Sequence, residues 1–468
     1  MTSRRAPFGW SLAMVLTVGA TAHCGSRTVD AVDLGPSPDG GPPSAVAPGQ
    51  SPDGGSPLIW PTPSHGANSD PWLVENHDSI VEMRPRVVVL DFYNYLDARA
   101  AQKQVQTRID AIAESSRYHG YSDAMAPAFL NYALVKVVDL TDRPPPPNST
   151  LESSTLLPTD SITGAFDASA LFTPAFASHY GFPDPANPSQ ALTLCQLFET
   201  GTINELWLMT GDEGSSRRPP LMAELKQVYD GNKAVPGSFA DTGYQPQVPP
   251  LPQCGVTVRI AYVSPITGVD CDLSPRWLGI ENTALASPPV IPYLTDNARD
   301  FFNGDFKSVD GATFDSWAEL VAMGTNGWCD PNSLACISYP SESQLPASVP
   351  TATGTFPDGS TWTMSPFHQG CGGAHFPSNA RFKWDYANTQ AVRSRCEHYA
   401  LRDAAGDDAL VRYSSNLASV SAYTQQFGDG GCGAGWQIYL PQSMPGLHNP
   451  ARATDGSPMK NWWPFLFY

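Results

Sequence analysis

Basic residues are scarce in this chain: Lys and Arg number 27 against 45 Asp and Glu, a formal net charge of −18. A phosphate-binding surface needs the opposite sign, so nucleic acid is excluded as an expected partner, and the acidity reads first as a solubility device. Short signatures of the common catalytic classes are also missing. There is no GxSxG elbow, no HExxH and no Walker loop, which removes the direct routes to a serine hydrolase, a zincin or a P-loop enzyme. No CxxC pair occurs, and no internal repeat of useful period.

What is present begins with export. Arg4 and Arg5 precede an apolar run from about Trp10 to Ala22. That run is too short to cross about 30 Å of hydrocarbon comfortably, and the small residues Ala20-Thr21-Ala22 follow in the order of a secretory signal. Residues 1–22 are read as a signal peptide, which implies an extracellular or cell-surface location. Two processing routes stay open: cleavage after Ala22, or lipidation of Cys24 as in a bacterial lipoprotein, which would anchor the chain to a membrane. Residues 23–71 then read as a linker. SPDGG occurs twice in a Pro, Gly and Ser-rich stretch that cannot bury enough apolar surface to offset chain entropy. The folded domain is expected from Trp72 to Tyr468, about 400 residues.

Nine cysteines agree with an oxidising compartment. Without Cys24 they are eight, an even number that suggests up to four disulfides. Cys329 with Cys336 is the favoured pair, because Asp330-Pro331-Asn332 supplies turn chemistry between them, and Cys254 with Cys271 is the second. Cys371, Cys396 and Cys432 have no preferred partner.

Apolar runs of strand length alternate with helical patterns. Residues 86–92, RVVVLDF, suit a strand buried on both faces; residues 97–115 follow as a helix with Ala101, Val105, Ile109 and Ile112 on one side. ALVKVVDL (133–140), INELWLMTG after a helix at about 189–200, and GVTVRIAYV (255–263) supply further strands. Helices are also expected over 294–303, 314–323 and 389–400. This order argues for an α/β fold: a largely parallel sheet with crossover helices and long disulfide-pinned loops.

In such sheets ligands sit beyond the carboxyl ends of the strands. RVVVLD ends in Asp91, followed by Tyr93, and the run LWLMTGDEG brings Asp212 and Glu213 to another strand end. Asp91, Asp212, Glu213 and Glu281 are the candidate catalytic carboxylates. HQGCGGAHFPSNARFKWDY (368–386) packs histidines, glycines and a cysteine into a segment too polar for core; His375 in it is a candidate base, held through Cys371 at the rim of the sheet. His368 and Asp385 lie close in sequence. Twelve tryptophans and seventeen tyrosines raise a carbohydrate reading, since flat aromatic faces stack on sugar rings.

Four segments, Arg117-Tyr118-His119-Gly120-Tyr121, Glu205-Leu206-Trp207-Leu208, Cys371-Gly372-Gly373-Ala374-His375-Phe376-Pro377 and Lys460-Asn461-Trp462-Trp463, resemble counterparts in a poorly characterised group of exported bacterial proteins. The resemblance implies a shared fold and export, carries no reaction, and singles out His119 and Glu205 beside His375. That group has a Gly-Gly-Pro-like turn where this chain has Gly211-Asp212-Glu213, which argues against Asp212 as a shared catalyst.

Three readings follow. The first is an exported hydrolase of a polysaccharide or other envelope polymer, glycosidase-like, using paired carboxylates without a cofactor, with His119, Glu205, Trp207 and Tyr93 as substrate contacts. The second is a cell-surface carbohydrate-binding module without turnover. The third is a metal-dependent hydrolase with zinc on His119, His375 and an aspartate such as Asp91.

Overall fold

Strand β3 (Arg86–Asp91), five of whose six residues are fully buried, lies second from one edge of a six-stranded sheet. The computed structural model describes residues 57–68, 70–143, 152–211, 219, 222–230, 233–241, 251–263, 352–355, 361–364, 392–394, 411–413, 418–427, 434–452, 458, 460–464 and 467. Before β3 come β1 (Leu58–Trp60), helix α1 (Asp70–Asn76) and β2 (Ile80–Met83). After it come α2 (Ala98–Ser115), β4 (Ala133–Asp139), the short helices α3 (Ala168–Leu171), α4 (Pro174–Ala177) and α5 (Leu194–Glu199), then β5 (Glu205–Met209), β6 (Met222–Asp230), β7 (Lys233–Asp241) and β8 (Val258–Val263). Two separate hairpins pair β9 (Ala352–Thr355) with β10 (Thr361–Met364) and β11 (Val392–Ser394) with β12 (Val411–Tyr413). Helices α6 (Ala418–Phe427) and α7 (Ala434–Tyr439) follow.

The sheet order is β4-β3-β5-β8-β6-β7. β4, β3, β5 and β8 are parallel; β6 is antiparallel to β8, and β7 to β6. The fold is therefore α/β with a mixed sheet. The expected largely parallel arrangement holds for these four strands and is corrected by the β6–β7 hairpin. Only Gly231-Asn232 separates those two runs, and a link that short cannot make the crossover that parallel neighbours require.

Side-chain alternation sends successive residues of each strand to opposite faces. Val87, Val89, Trp207, Met209, Ala261 and Val263 pack in one core cluster with Ala101, Val105, Ile109 and Ile112 of α2 and with Tyr423, Phe427, Ile438 and Tyr439 of α6 and α7. Val88, Leu90, Leu206, Leu208, Val258 and Ile260 pack in the other with Leu171, Leu194, Leu197 and Phe198. Each fully buried aliphatic side chain contributes about 1.5–3 kcal/mol, so the helices are held chiefly by these faces. Helix α2 starts where its sequence dictates, with the Asp97 carboxylate accepting the Ala100 N–H. Thr193 and Gln196 form a capping box on α5.

Three expectations need correction. The fold begins by Pro57 rather than Trp72: Trp60 is fully buried, β1 pairs in parallel with β2, and the Asn68 amide donates to the carbonyls of Asn204 and Thr257 at 3.0 and 2.9 Å. The apolar triplet Leu58-Ile59-Trp60 overrides the proline-rich composition around it. Cys254 is bonded to Cys195, not Cys271, because it lies buried opposite α5 with a Cα–Cα distance of 5.1 Å. Within the expected helix 389–400, Val392–Ser394 is a strand, paired with Val411–Tyr413. The helices at 294–303 and 314–323, Cys329 with Cys336, Cys371, Cys396 and Cys432 lie outside the described residues. Among the described residues no helix is long and apolar enough to cross a membrane.

Candidate functional site

From β3 the chain moves through α2 to β4 on one side, then returns across β3 through α3–α5 to β5 on the other. The two connections lie on opposite faces, so the order reverses between β3 and β5. In an open α/β sheet that reversal leaves a crevice beyond the strand ends. Asp91 is the last residue of β3, in register with Asp139 at the end of β4 and Met209 at the end of β5. The crevice edge is thus built from Asp91, Asp139 and Thr210-Gly211.

The Asp91 side chain is 0% exposed. Its Oδ1 accepts the Tyr93 N–H at 3.0 Å, while Oδ2 has no hydrogen-bond partner. Arg143 Nη2 lies 3.8 Å from that Oδ2 and 3.5 Å from Oδ1 of Asp139. Burial pushes the Asp91 carboxyl up to about 7; the Tyr93 N–H opposes the shift, the nearby Asp139 charge adds to it, and Arg143 opposes it again. A carboxylic acid in such a place keeps its proton near neutral pH and can deliver it.

The loops around Asp91 are tied by polar contacts. Asn94 is buried; its N–H donates to the Glu152 carbonyl at 2.9 Å and its Oδ1 accepts the Asp142 N–H at 2.8 Å, but its Nδ2 has no partner. The Asp142 carboxylate accepts the N–H and hydroxyl of Thr155. Ser153 Oγ accepts the Gly211 N–H at 2.9 Å, which fixes the end of β5 against the 152–155 segment. A side chain at Gly211 would run into Glu152. Tyr93 is half-buried, its ring meeting Tyr95 edge-on at 5.6 Å, and its phenol is pushed up first by burial and then by the Glu152 charge. Tyr95 is 57% exposed.

Of the residues singled out in the sequence, this rim brings together Asp91 and Tyr93. The others that are described sit elsewhere. Glu205 is buried at the start of β5, in register with Val87, at the amino end of the sheet. Tyr132 Oη donates to both its carboxylate oxygens at 3.1 Å and Trp207 Nε1 donates to Oε2 at 3.2 Å. Trp207 is 1% exposed and packs against Tyr132, so Glu205 and Trp207 are core and not substrate contacts.

His119 follows the carboxyl end of α2, with φ +54°, its ring stacked on Tyr118 at 4.0 Å and its N–H donating to the Gln442 carbonyl. Asp91 lies before the amino end of that 18-residue helix, which spans about 27 Å, so His119 and Asp91 do not share a zinc site. Among the described residues no group of three or more His, Cys, Asp or Glu side chains is placed to hold a metal. Asp212, Glu213, Glu281 and His375, with His368, Asp385 and the segment 368–386, lie outside the described residues.

Asn94, like Tyr93, was legible as a polar residue just past the RVVVLD strand end, whereas sequence reading missed Arg143 and Asp139. Asp139 carried the same signal as Asp91, an apolar run ending in aspartate. Arg143 had none, because its role depends on how a loop folds over one strand end. No protein-family model matches this chain, nor does any curated protein or solved structure.

Proposed function

We propose that this protein is an exported hydrolase of a polysaccharide or another envelope polymer, with Asp91 as its general acid. The observation that carries the reading is the state of Asp91: fully buried at the switch point, one oxygen without a hydrogen bond, and a carboxyl pushed up to about 7. Asp139 is the second carboxylate. Both approach the same Arg143 nitrogen, at 3.8 and 3.5 Å, so their nearer oxygens are at most 7.3 Å apart, compatible with either of the spacings that glycoside hydrolysis uses. In the step proposed, Asp91 gives its proton to the leaving glycosidic oxygen as that bond breaks, and Asp139 takes a proton from the water that attacks the sugar carbon. Asp212, Glu213, Glu281 and His375 stay with this proposal as further candidates from the sequence.

The test is a panel of polysaccharides and peptidoglycan, scored for new reducing ends or released peptides, with Asp91→Asn beside the unaltered protein. Product that disappears in Asp91→Asn supports the reading; no product from any polymer by a folded protein overturns it. The exposed Tyr95 at the same rim favours a second reading, a carbohydrate-binding module without turnover. Retention on insoluble polysaccharide without product would select it.

A further inference from the structure

We propose that Arg143 is a pH-controlled arm over Asp91: when Asp91 is ionised the guanidinium closes onto its Oδ2, and when Asp91 takes up a proton the arm is released toward Asp139. The inference adds regulation to the site proposed above and takes its location from that reading, but the movement itself needs no turnover.

The geometry leaves Arg143 uncommitted. Its Nη2 is 3.8 Å from Oδ2 of Asp91 and 3.5 Å from Oδ1 of Asp139. Both distances exceed the roughly 2.7–2.9 Å of a charge-assisted hydrogen bond. The two acceptors are unequal. Oδ1 of Asp139 is already held by the Thr141 hydroxyl at 2.6 Å and the Thr141 N–H at 3.1 Å, on a side chain 44% exposed, so water screens what the arginine adds. Oδ2 of Asp91 has no hydrogen bond, and its side chain is 0% exposed. A charge there is screened far less, so ionised Asp91 attracts the guanidinium more strongly than Asp139 does. Neutral Asp91 has no charge with which to hold it.

The backbone need not move. The Asp142 N–H donates to Asn94 Oδ1 at 2.8 Å and the Asp142 carboxylate accepts the N–H and hydroxyl of Thr155, which pins the loop just before Arg143. Closing onto Asp91 takes about 1 Å at the tip of a long side chain that is 31% exposed. Among the described residues the charged groups acting on Asp91 are Asp139 and Arg143; Tyr93 contributes its N–H, and Glu152, on the neighbouring segment, acts on the Tyr93 phenol. The end of β5, Met209-Thr210-Gly211, carries no charge. Burial sets the switch near neutrality, since it pushes the Asp91 carboxyl up to about 7. Above that point the oxygen that would deliver the proton is both deprotonated and covered; below it both conditions are reversed.

The experiment is phenylglyoxal labelling of the folded full chain from about pH 6 to about pH 8, with Arg143 and Arg84 quantified by peptide mass spectrometry. Arg84, 54% exposed and paired with Glu82, is the reference that cancels the reagent's own pH dependence. The Arg143 to Arg84 ratio should fall at least about threefold, because Asp91 passes from about one-tenth to about nine-tenths ionised over that range. Asp91→Asn keeps an acceptor for the Tyr93 N–H but cannot ionise, and should give a flat ratio at the higher level, with folding checked by thermal melting. Asp139→Asn, at an exposed position, should keep the fall.

A flat ratio in the unaltered protein, a fall that persists in folded Asp91→Asn, or one that vanishes in Asp139→Asn would each overturn the arm. Failure of the hydrolase reading looks different. In that case the ratio falls as expected, the Asp91→Asn variant flattens it, and no polymer yields product.

Discussion

Arg143 Nη2 stands between two carboxyl groups, 3.8 Å from Oδ2 of Asp91 and 3.5 Å from Oδ1 of Asp139, yet the two differ in exposure: the Asp91 side chain is fully buried and that of Asp139 is 44% exposed. Burial holds the Asp91 proton to about 7. As general acid, Asp91 must be protonated, so kcat/KM should fall as pH rises through about 7. Arg143 opposes the shift and Asp139 adds to it. Arg143→Gln should therefore move the limb to higher pH. A limb that stays in place in that variant would assign the titration to another group.

The same shift acts on stability. The folded-state value, about 7, lies above the unfolded 3.8, so the native state binds more protons between the two. The contribution is fully present below pH 3.8 and is lost as pH rises through about 7; across the window it amounts to about 4 kcal/mol. Denaturant unfolding at a series of pH values should show this decline, and Asp91→Asn should remove it. An equal decline in the variant would place the proton linkage elsewhere.

Glu205 accepts from Tyr132 and Trp207 at the amino end of the sheet, remote from this rim. Glu205→Leu should leave those buried donors unmade and cost on the order of 1–3 kcal/mol each in urea unfolding. Sugar binding measured below the transition should not change. Lost binding in a variant of unchanged stability would return Glu205 to the list of contacts.

Much of the central sheet was legible because its strands are buried on both faces and read as unbroken apolar runs, RVVVLD and ELWLM among them. Helix α2 was legible from Ala101, Val105, Ile109 and Ile112, which do lie on its buried face. The β6–β7 hairpin was hidden by weak alternation, in which Glu224, Lys226 and Gln227 are polar but buried. Its one signal was the Asp-Gly-Asn turn sequence at 230–232. At the site, Asp91 could be found from its place at a strand end. Tyr93 came with it, and the Arg143 and Asn94 contacts did not, because long-range loop contacts leave no periodic trace in sequence.

The Cys195–Cys254 bond closes a loop with a sequence separation of 59. Chain-entropy reasoning assigns such a loop about 4 kcal/mol, so Cys254→Ser should lower the unfolding free energy by roughly that amount. Cys271→Ser should leave the bond intact. Non-reducing peptide mapping that linked Cys254 to Cys271 instead would contradict the pairing.

Glu224 and Arg259 are register partners on β6 and β8, both buried, and Arg259 donates to the Glu224 carboxylate and to the Phe467 carbonyl. The pair lies on the sheet face that also carries Ala261, Val263 and the Phe467 ring, so it ties the antiparallel extension and the end of the chain to the parallel strands. Taking two charges out of water costs several kcal/mol per ion, and their attraction roughly repays it only while both are present. Removing one partner should therefore be worse than removing both. Glu224→Leu or Arg259→Met alone should cost about 3–5 kcal/mol, whereas the double variant, with apolar side chains of similar volume, should recover most of that loss. Four denaturation curves complete the cycle, and purely additive losses would show that the two side chains act independently.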